Sequence, residues 1–361
     1  MTDRPLFSVV VPTWQGSAPW LAECLEGIAA QRTHRPQVIV VFDGPADECQ
    51  GIARTILPGA RQLPFKEQRG FACAASAGLR AARGQLVGLL NDDAVPRPDW
   101  LEAMAVAAER HPDVGSFASR VLRADDPATI DSAGHGLTRW GEAFAIGGGQ
   151  PDGPSYRAER AVFGAPACAA VYRWELLRDC GAFDPEFVAY LEDVDLSLRA
   201  QLSGFSCRYI PDARVVHRGS ASYGWGRGDG HAEGLVARNR VRLLLKSMPR
   251  NTLRAGALAA VASLVAELGY RTVTARHAGP VAAGLVAGIR DARSALAARG
   301  AALGGRRVDD EAIGRVLKES ERLLAELDGG TGRRLRRSLA VGLARSIDRR
   351  ERRLNSNPFE E

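Results

Sequence analysis

Apolar residues run in short continuous blocks through the first ninety positions. Phe7–Val11, Gln37–Phe42 and Leu86–Leu90 (FSVVV, QVIVVF, LVGLL) show no polar alternation, as expected of strands covered on both faces. Between them apolar positions recur at helical spacing, with Leu21, Cys24, Leu25 and Ile28 inside Pro19–Gln31. Asp47–Leu57, the Ala-rich Phe71–Arg83 and a stretch from Asp99, read as its cap, to Arg110 complete the helices. Strands alternating with helices predict an α/β fold with a mostly parallel, doubly wound sheet and flanking helices. Pro12 is expected to end the first strand. Further on, Ile146–Ser155 (IGGGQPDGPS) reads as an exposed loop, Asp193–Ser203 as a helix, and Cys207–Ile210 and Arg214–His217 as two short strands. Beyond His231 only helical signals follow, over 231–247, 252–268, 281–299, 308–327 and 333–352. The pattern therefore predicts two regions, 1–230 and a C-terminal helical region 231–361, which agrees with the domain count that 361 residues suggest.

Composition narrows this little. The chain is 45% hydrophobic and 25% charged, ordinary for a globular protein. Its 48 Lys+Arg against 42 Asp+Glu leave a net charge of +6, which permits an anionic partner without choosing one. The surplus is uneven: nine arginines between Arg333 and Arg353 are opposed there only by Asp348 and Glu351. Six irregularly spaced cysteines form no C-x-x-C pair, so reduced thiols are expected rather than a disulfide framework or a zinc site. No signal peptide is expected at the N-terminus. No apolar run reaches the roughly 18–20 residues of a spanning helix, since the longest, Ala255–Ala266, meets Glu267. The expected compartment is the cytoplasm.

Candidate chemistry sits just past the strands, where such sheets bind ligands. Asn91-Asp92-Asp93 follows a buried strand. Adjacent carboxylates there suit a hard divalent cation shared with substrate phosphates, or simply a polar turn. Asp43 precedes Gly44 and reads either as an Asx-turn residue or as an acceptor for a nucleobase N–H. Glu192-Asp193-x-Asp195 opens a helix. Capping suits Asp195, whereas Asp193, if it faces a pocket, could act as a general base. His217 ends a strand and is either structural or a ligand to a Mn2+-type ion. Gly70-Phe71-x-x-Ala74-Ala75 opens a helix with side chains small enough for a ligand to approach the backbone. It is neither a P-loop nor a dinucleotide fingerprint.

Taken in order, FSVVVPTWQG, VIVVFDG, RGFACAASAGLRAARGQLVGLLNDDA and GAFDPEFVAYLEDVDLSLRAQLSGFSCRYIPDARVVHRGSAS resemble family 2 glycosyltransferases, rhamnosyltransferase-like members above all, over Phe7–Tyr223. The resemblance implies the GT-A (Rossmann-like) fold, a nucleotide-sugar donor, a divalent cation (Mn2+ or Mg2+) and inversion at the anomeric carbon. It implies metal ligation by Asp93 and His217 and base catalysis by Asp193. Donor-side contacts fall on Thr13, Asp43, Gly70, Asn91, Asp92 and Glu192. Three departures are visible. Gln68-Arg69 stands where the family carries an Asn before Gly-Phe, with Ser76 in place of a later Asn, and VFDGPAD replaces the usual DNGSxD.

The implied activity is transfer of a sugar from a UDP- or dTDP-sugar, dTDP-rhamnose among them, to a glycan or polyprenyl-linked hydroxyl. A sugar-phosphate nucleotidyltransferase is the alternative, but PTWQGSAPW lacks the basic residue such enzymes carry after the first strand. An inactive membrane or nucleic-acid adaptor would not need Asp93, Asp193 and His217. With 6% aromatics and no known motif, no nucleic-acid partner is expected. The helical region, with Arg238, Arg240, Arg242 and Lys246 beside short apolar stretches, suits either an anionic membrane surface (the inner face of the cell membrane) or packing on the catalytic region or a second subunit.

Overall fold

The computed structural model describes residues 4–219, 229–274 and 276–327. The helix expected over 333–352 and the arginine cluster lie outside the described residues. The strands are β1 (Phe7–Thr13), β2 (Gln37–Phe42), β3 (Arg61–Pro64), β4 (Leu86–Leu90), β5 (Ala94–Pro96), β6 (Val114–Arg123), β7 (Ile130–Ser132), β8 (His135–Leu137), β9 (Ala143–Ala145), β10 (Arg160–Val162), β11 (Ala169–Arg173) and β12 (Ser206–His217). The α-helices are α1 (Ala18–Ala29), α2 (Asp47–Ile56), α3 (Phe71–Ala81), α4 (Trp100–Arg110), α5 (Trp174–Cys180), α6 (Glu192–Leu202), α7 (His231–Lys246), α8 (Arg250–Val273), α9 (Ala278–Arg290), α10 (Ala292–Gly304) and α11 (Asp310–Leu327).

The main sheet is mixed and runs β10-β12-β6-β11-β4-β1-β2-β3. β3, β2, β1 and β4 form the parallel block, and β11 enters antiparallel between β4 and β6. Core residues of α1, α2 and α4 cover one face of the sheet. Those of α3, α5, α6, α7 and α11 cover the other. Burial on both faces is why β1, β2 and β4 read as unbroken apolar runs.

Several expectations need correction. β1 passes through Pro12 to Thr13. The Thr13 carbonyl accepts from the Asp43 N–H on the β2 side, so Pro12 faces the β4 side, where pairing has already ended at Val10↔Leu89. No ladder bond is lost there. The two short strands expected over 207–217 are one strand, β12, with an irregularity between Ile210 and Arg214. The 281–299 helix is two, α9 and α10, joined at Asp291. Asp99 occupies the start of α4 but caps nothing with its side chain; it pairs with Arg214.

The basic residues of α7 are also not where their charge suggested. Arg240, Arg242 and Lys246 are buried. Lys246 Nζ lies 2.8 Å from Asp195 Oδ2 and 3.0 Å from Asp184 Oδ2, and Arg242 binds the same Asp184 oxygen. Asp195, expected as a cap, is fully buried. It accepts from Lys246, from Arg199 and from the Ser247 hydroxyl, while Leu191 takes the N-cap position of α6. Charges that would be costly to bury alone are here paired on every side. α8 continues past Glu267, because that carboxylate turns to Arg271 (3.1 Å) and Arg240 (3.7 Å). One described helix, Arg250–Val273, is therefore long and apolar enough to cross a membrane by length and composition.

Candidate active site

Three chain segments converge beyond the carboxyl ends of β1, β2 and β4. The first is the turn after β2. Asp43 is buried, and its two carboxylate oxygens accept the backbone N–H groups of Arg69 (2.6 Å) and Gly70 (2.9 Å), two of roughly four acceptor sites on a carboxylate. Gly70 is at φ 94°, where a Cβ would come within 2.8 Å of the Val188 side chain. Only glycine takes that conformation freely. Beside Asp43 lies a cavity of about 310 Å3 lined by Trp14, Gln15, Gly16, Gly44, Pro45 and Gln68. The Trp14 ring folds over Gly16, where a Cβ would approach it to 2.5 Å. Thr13, buried at the end of β1, enters through its carbonyl bond to Asp43.

The second segment is Asn91-Asp92-Asp93. The Asn91 N–H donates to the Cys168 carbonyl, and Asp92 and Asp93 are buried. β5 pairs with the end of β12, with Ala94 opposite His217. That register sets His217 Nε2 3.2 Å from Asp93 Oδ1, so the structure brings the two residues read as metal ligands together. The other ring nitrogen, Nδ1, lies 2.8 Å from Asp131 Oδ2. Burial works against the imidazolium, but the Asp131 and Asp93 carboxylates outweigh it and push His217 up to about 10. The donor set, two carboxylates and an imidazole, fits Mn2+ or Mg2+. Cys168 offers a sulfur within 4.8 Å of the Asp131 and His217 donor atoms, but its thiol is pushed well up by burial and then by Asp131, Asp93 and Asp193. It remains protonated, a poor partner for a hard cation.

The third segment presents Glu192 and Asp193. Val188, Tyr190 and Leu191 all have positive φ, a strained approach that persists only when its surroundings hold it. The Asn239 side-chain amide donates to the carbonyls of Phe187, Ala189 and Tyr190, each at 2.8 Å. Glu192 is buried, and burial followed by the adjacent Asp193 raises its pKa well above the usual range. The Asp193 side chain is 17% exposed and accepts from the Ala167 N–H at 2.9 Å. Ala167, which donates to Asp193, precedes Cys168, whose sulfur lies within 4.8 Å of the Asp131 and His217 donor atoms, so the candidate metal ligands and the candidate base share one neighbourhood.

Two residues escaped the sequence reading. Asp131 lies on β7 and His135 begins β8, three-residue strands too short to show a period. His135 is buried, with Nδ1 3.9 Å from Asp193 Oδ2 and Nε2 3.1 Å from the Ser197 hydroxyl. Burial lowers its pKa more than Asp193 raises it, so the ring is neutral.

The model of "Glycosyl transferase family 2" matches residues 8–176. Residues 8–176 are thus a family 2 glycosyltransferase domain, and the chain is a glycosyltransferase. It is 26% identical over 247 residues to an N-acetylglucosaminyl-diphospho-decaprenol L-rhamnosyltransferase of Mycobacterium tuberculosis, covering 62% of this chain and 79% of that one. To the amylovoran biosynthesis glycosyltransferase AmsE of Erwinia amylovora it is 24% identical over 246 residues, covering 67% and 87%. Among solved structures, GalNAc-T7 with UDP, GalNAc and Mn2+ superposes with a TM-score of 0.51 at 12% identity. That match covers 68% of this chain but only 48% of GalNAc-T7, and it shows a shared GT-A fold. This glycosyltransferase thus combines a mixed α/β sheet with a helical C-terminal region.

Proposed function

We propose that this glycosyltransferase moves a sugar from a UDP- or dTDP-sugar to a hydroxyl of a glycan or polyprenyl-linked acceptor, with inversion at the anomeric carbon. The observation that carries the reading is the common neighbourhood of the Asp93–His217 pair and the accessible Asp193 carboxyl, joined through Ala167-Cys168. Asp43 and the Trp14 ring at the adjoining cavity suit a pyrimidine, one by accepting its N3–H and the other by stacking. A divalent cation held by Asp93 and His217 would offset the charge on the departing diphosphate. Asp193 accepts the proton of the acceptor hydroxyl as that oxygen attacks. Glu192 beside it is buried, which leaves the more accessible Asp193 as the carboxyl of the pair that can meet an acceptor. The decaprenol-linked acceptor and rhamnosyl group named for the mycobacterial relative favour dTDP-rhamnose and a lipid-linked acceptor here.

The test is a donor screen with Mn2+ that measures the released product. Nucleoside diphosphate supports transfer, and pyrophosphate would make the chain a nucleotidyltransferase. Asp193→Asn should abolish transfer while sparing donor binding, and Asp93→Ala should weaken both. Wild-type turnover by Asp193→Asn would remove Asp193 as the base.

A further inference from the structure

The described helices after residue 250 leave an aliphatic surface open. On α8, Arg254, Leu258, Val261 and Val265 follow one another at spacings of four, three and four, one side of a helix. Leu258, Val261 and Val265 are 66%, 61% and 66% exposed. The opposite side, Thr252, Gly256, Ala259, Ala260 and Ser263, is buried. There Ser263 accepts from Arg240, and a Cβ at Gly256 would meet the Arg139 carbonyl at 2.4 Å. Val286 and Ile289 on α9 and Leu296 on α10 are exposed as well.

The charges around this surface choose its occupant. Residues 250–299 contain seven arginines and two acids, Glu267 and Asp291. Glu267 is bound to Arg240 and Arg271, and Asp291 to Arg238. Arg250, Arg254, Arg276, Arg290 and Arg293 are exposed. The outer face of α8 is thus cationic at its N-terminal end, at Arg250 and Arg254, and aliphatic beyond it. A second copy docked through it would set arginine against arginine with no exposed acid to answer it. A bilayer of anionic lipid supplies both halves of the complement, acyl chains for the valines and headgroup phosphates for the guanidinium groups.

We propose that the outer face of α8 docks this protein on an anionic membrane, the helix lying in the interface rather than spanning it. A spanning α8 would have to withdraw Glu267 and Ser263 from Arg240 and open the packing at Gly256. The inference is independent of the donor and acceptor named above.

Flotation of the full chain with vesicles tests it, using phosphatidylcholine alone and phosphatidylcholine with about a third phosphatidylglycerol, and no sugar donor or acceptor. The wild-type protein should float with the anionic vesicles and stay behind with the neutral ones. Val261→Asp/Val265→Asp, at exposed positions that leave the core intact, should reduce binding tenfold or more, with an unchanged melting curve and donor binding. Arg250→Glu/Arg254→Glu should weaken it by a smaller factor. Undiminished binding by the valine variant would overturn the proposal and move the attachment to another part of the chain, the arginine-rich 328–361 segment included. A wild-type dimer that the valine variant splits would overturn it in favour of a second copy. Vesicle-bound protein that resists an alkaline wash would overturn the interfacial placement.

Discussion

Asn239 Nδ2 donates to the Tyr190 carbonyl at 2.8 Å, tying the middle of α7 to the strained turn that delivers Asp193. The same amide reaches Phe187 and Ala189, so one fully buried side chain holds three carbonyls of a segment with three positive φ values. Asn239→Asp keeps the shape but replaces the donors with acceptors. It is expected to lower kcat on the order of tenfold to a hundredfold by letting Asp193 drift, while the donor Kd stays within a few-fold of wild type. Steady-state kinetics with calorimetric donor titration checks this, and an unchanged kcat would detach α7 from catalysis.

Gly70 links the cavity beside Asp43 to the same turn from the other side. Its N–H meets Asp43, and the Ala72 N–H donates to the Val188 carbonyl at 2.8 Å. Gly70→Ala faces both a positive φ and a 2.9 Å approach to the Val188 carbonyl oxygen. It should cost about 1–3 kcal/mol of stability and weaken donor binding, where a surface change such as Gly59→Ala should do neither. Thermal melts with and without donor separate the two effects.

The legible part of this protein is the part governed by period and position. β1, β2 and β4 are apolar runs between helical signals, and Asp43, Asp93, Asp193 and His217 each stand at the end of an element that can be read. β6 is ten residues long with nine of them buried, yet Ser116, Ser119 and Arg120 interrupt its apolar signal. They are tolerated because Ser119 accepts from the Trp100 indole and Arg120 pairs with Asp152. α7 misled for the same reason. Its inward face is Asn239, Arg240, Arg242 and Lys246, a polar set that no hydrophobic pattern assigns to the interior. Partners fifty residues away at Asp184 and Asp195 make the burial affordable, and spacing alone does not reveal them.

That ion-pair cluster has a pH signature. Burial alone would raise the Asp195 carboxyl, but Arg199, Lys246 and Ser247 outweigh it and hold it below the usual range. Asp184 is held low in the same way by Lys246 and Arg242. A depressed folded-state pKa stabilises above the unfolded value, near 3.9 for Asp. The contribution is lost as pH falls through the folded value. Among the described residues, Asp195→Asn takes the only carboxylate from Arg199 and leaves Lys246 with Asp184 alone, and should cost roughly 3 kcal/mol near pH 7. Its urea midpoint should approach that of the wild type as pH drops below about 4. A gap that stayed constant from pH 7 to pH 3 would show that the charge of Asp195 is not what stabilises the fold.

Asp131 orients His217 for the cation proposed above. With Nδ1–H donated to Asp131 at 2.8 Å, the lone pair of a neutral ring is directed through Nε2 toward Asp93, an arrangement in which the carboxylate fixes the tautomer and raises the basicity of the ligand. Asp131→Ala leaves the imidazole free to rotate and to change tautomer. It should weaken Mn2+ binding about 10–100-fold, the range found when such supporting partners are removed, as read by calorimetry in the presence of UDP. Asp131→Asn retains an oxygen that accepts the Nδ1 proton and should fall between wild type and alanine. Loss of fold would lower the melting temperature of both variants, whereas loss of orientation spares it. Mn2+ affinity equal to wild type in Asp131→Ala would leave Asp131 with no part in holding His217.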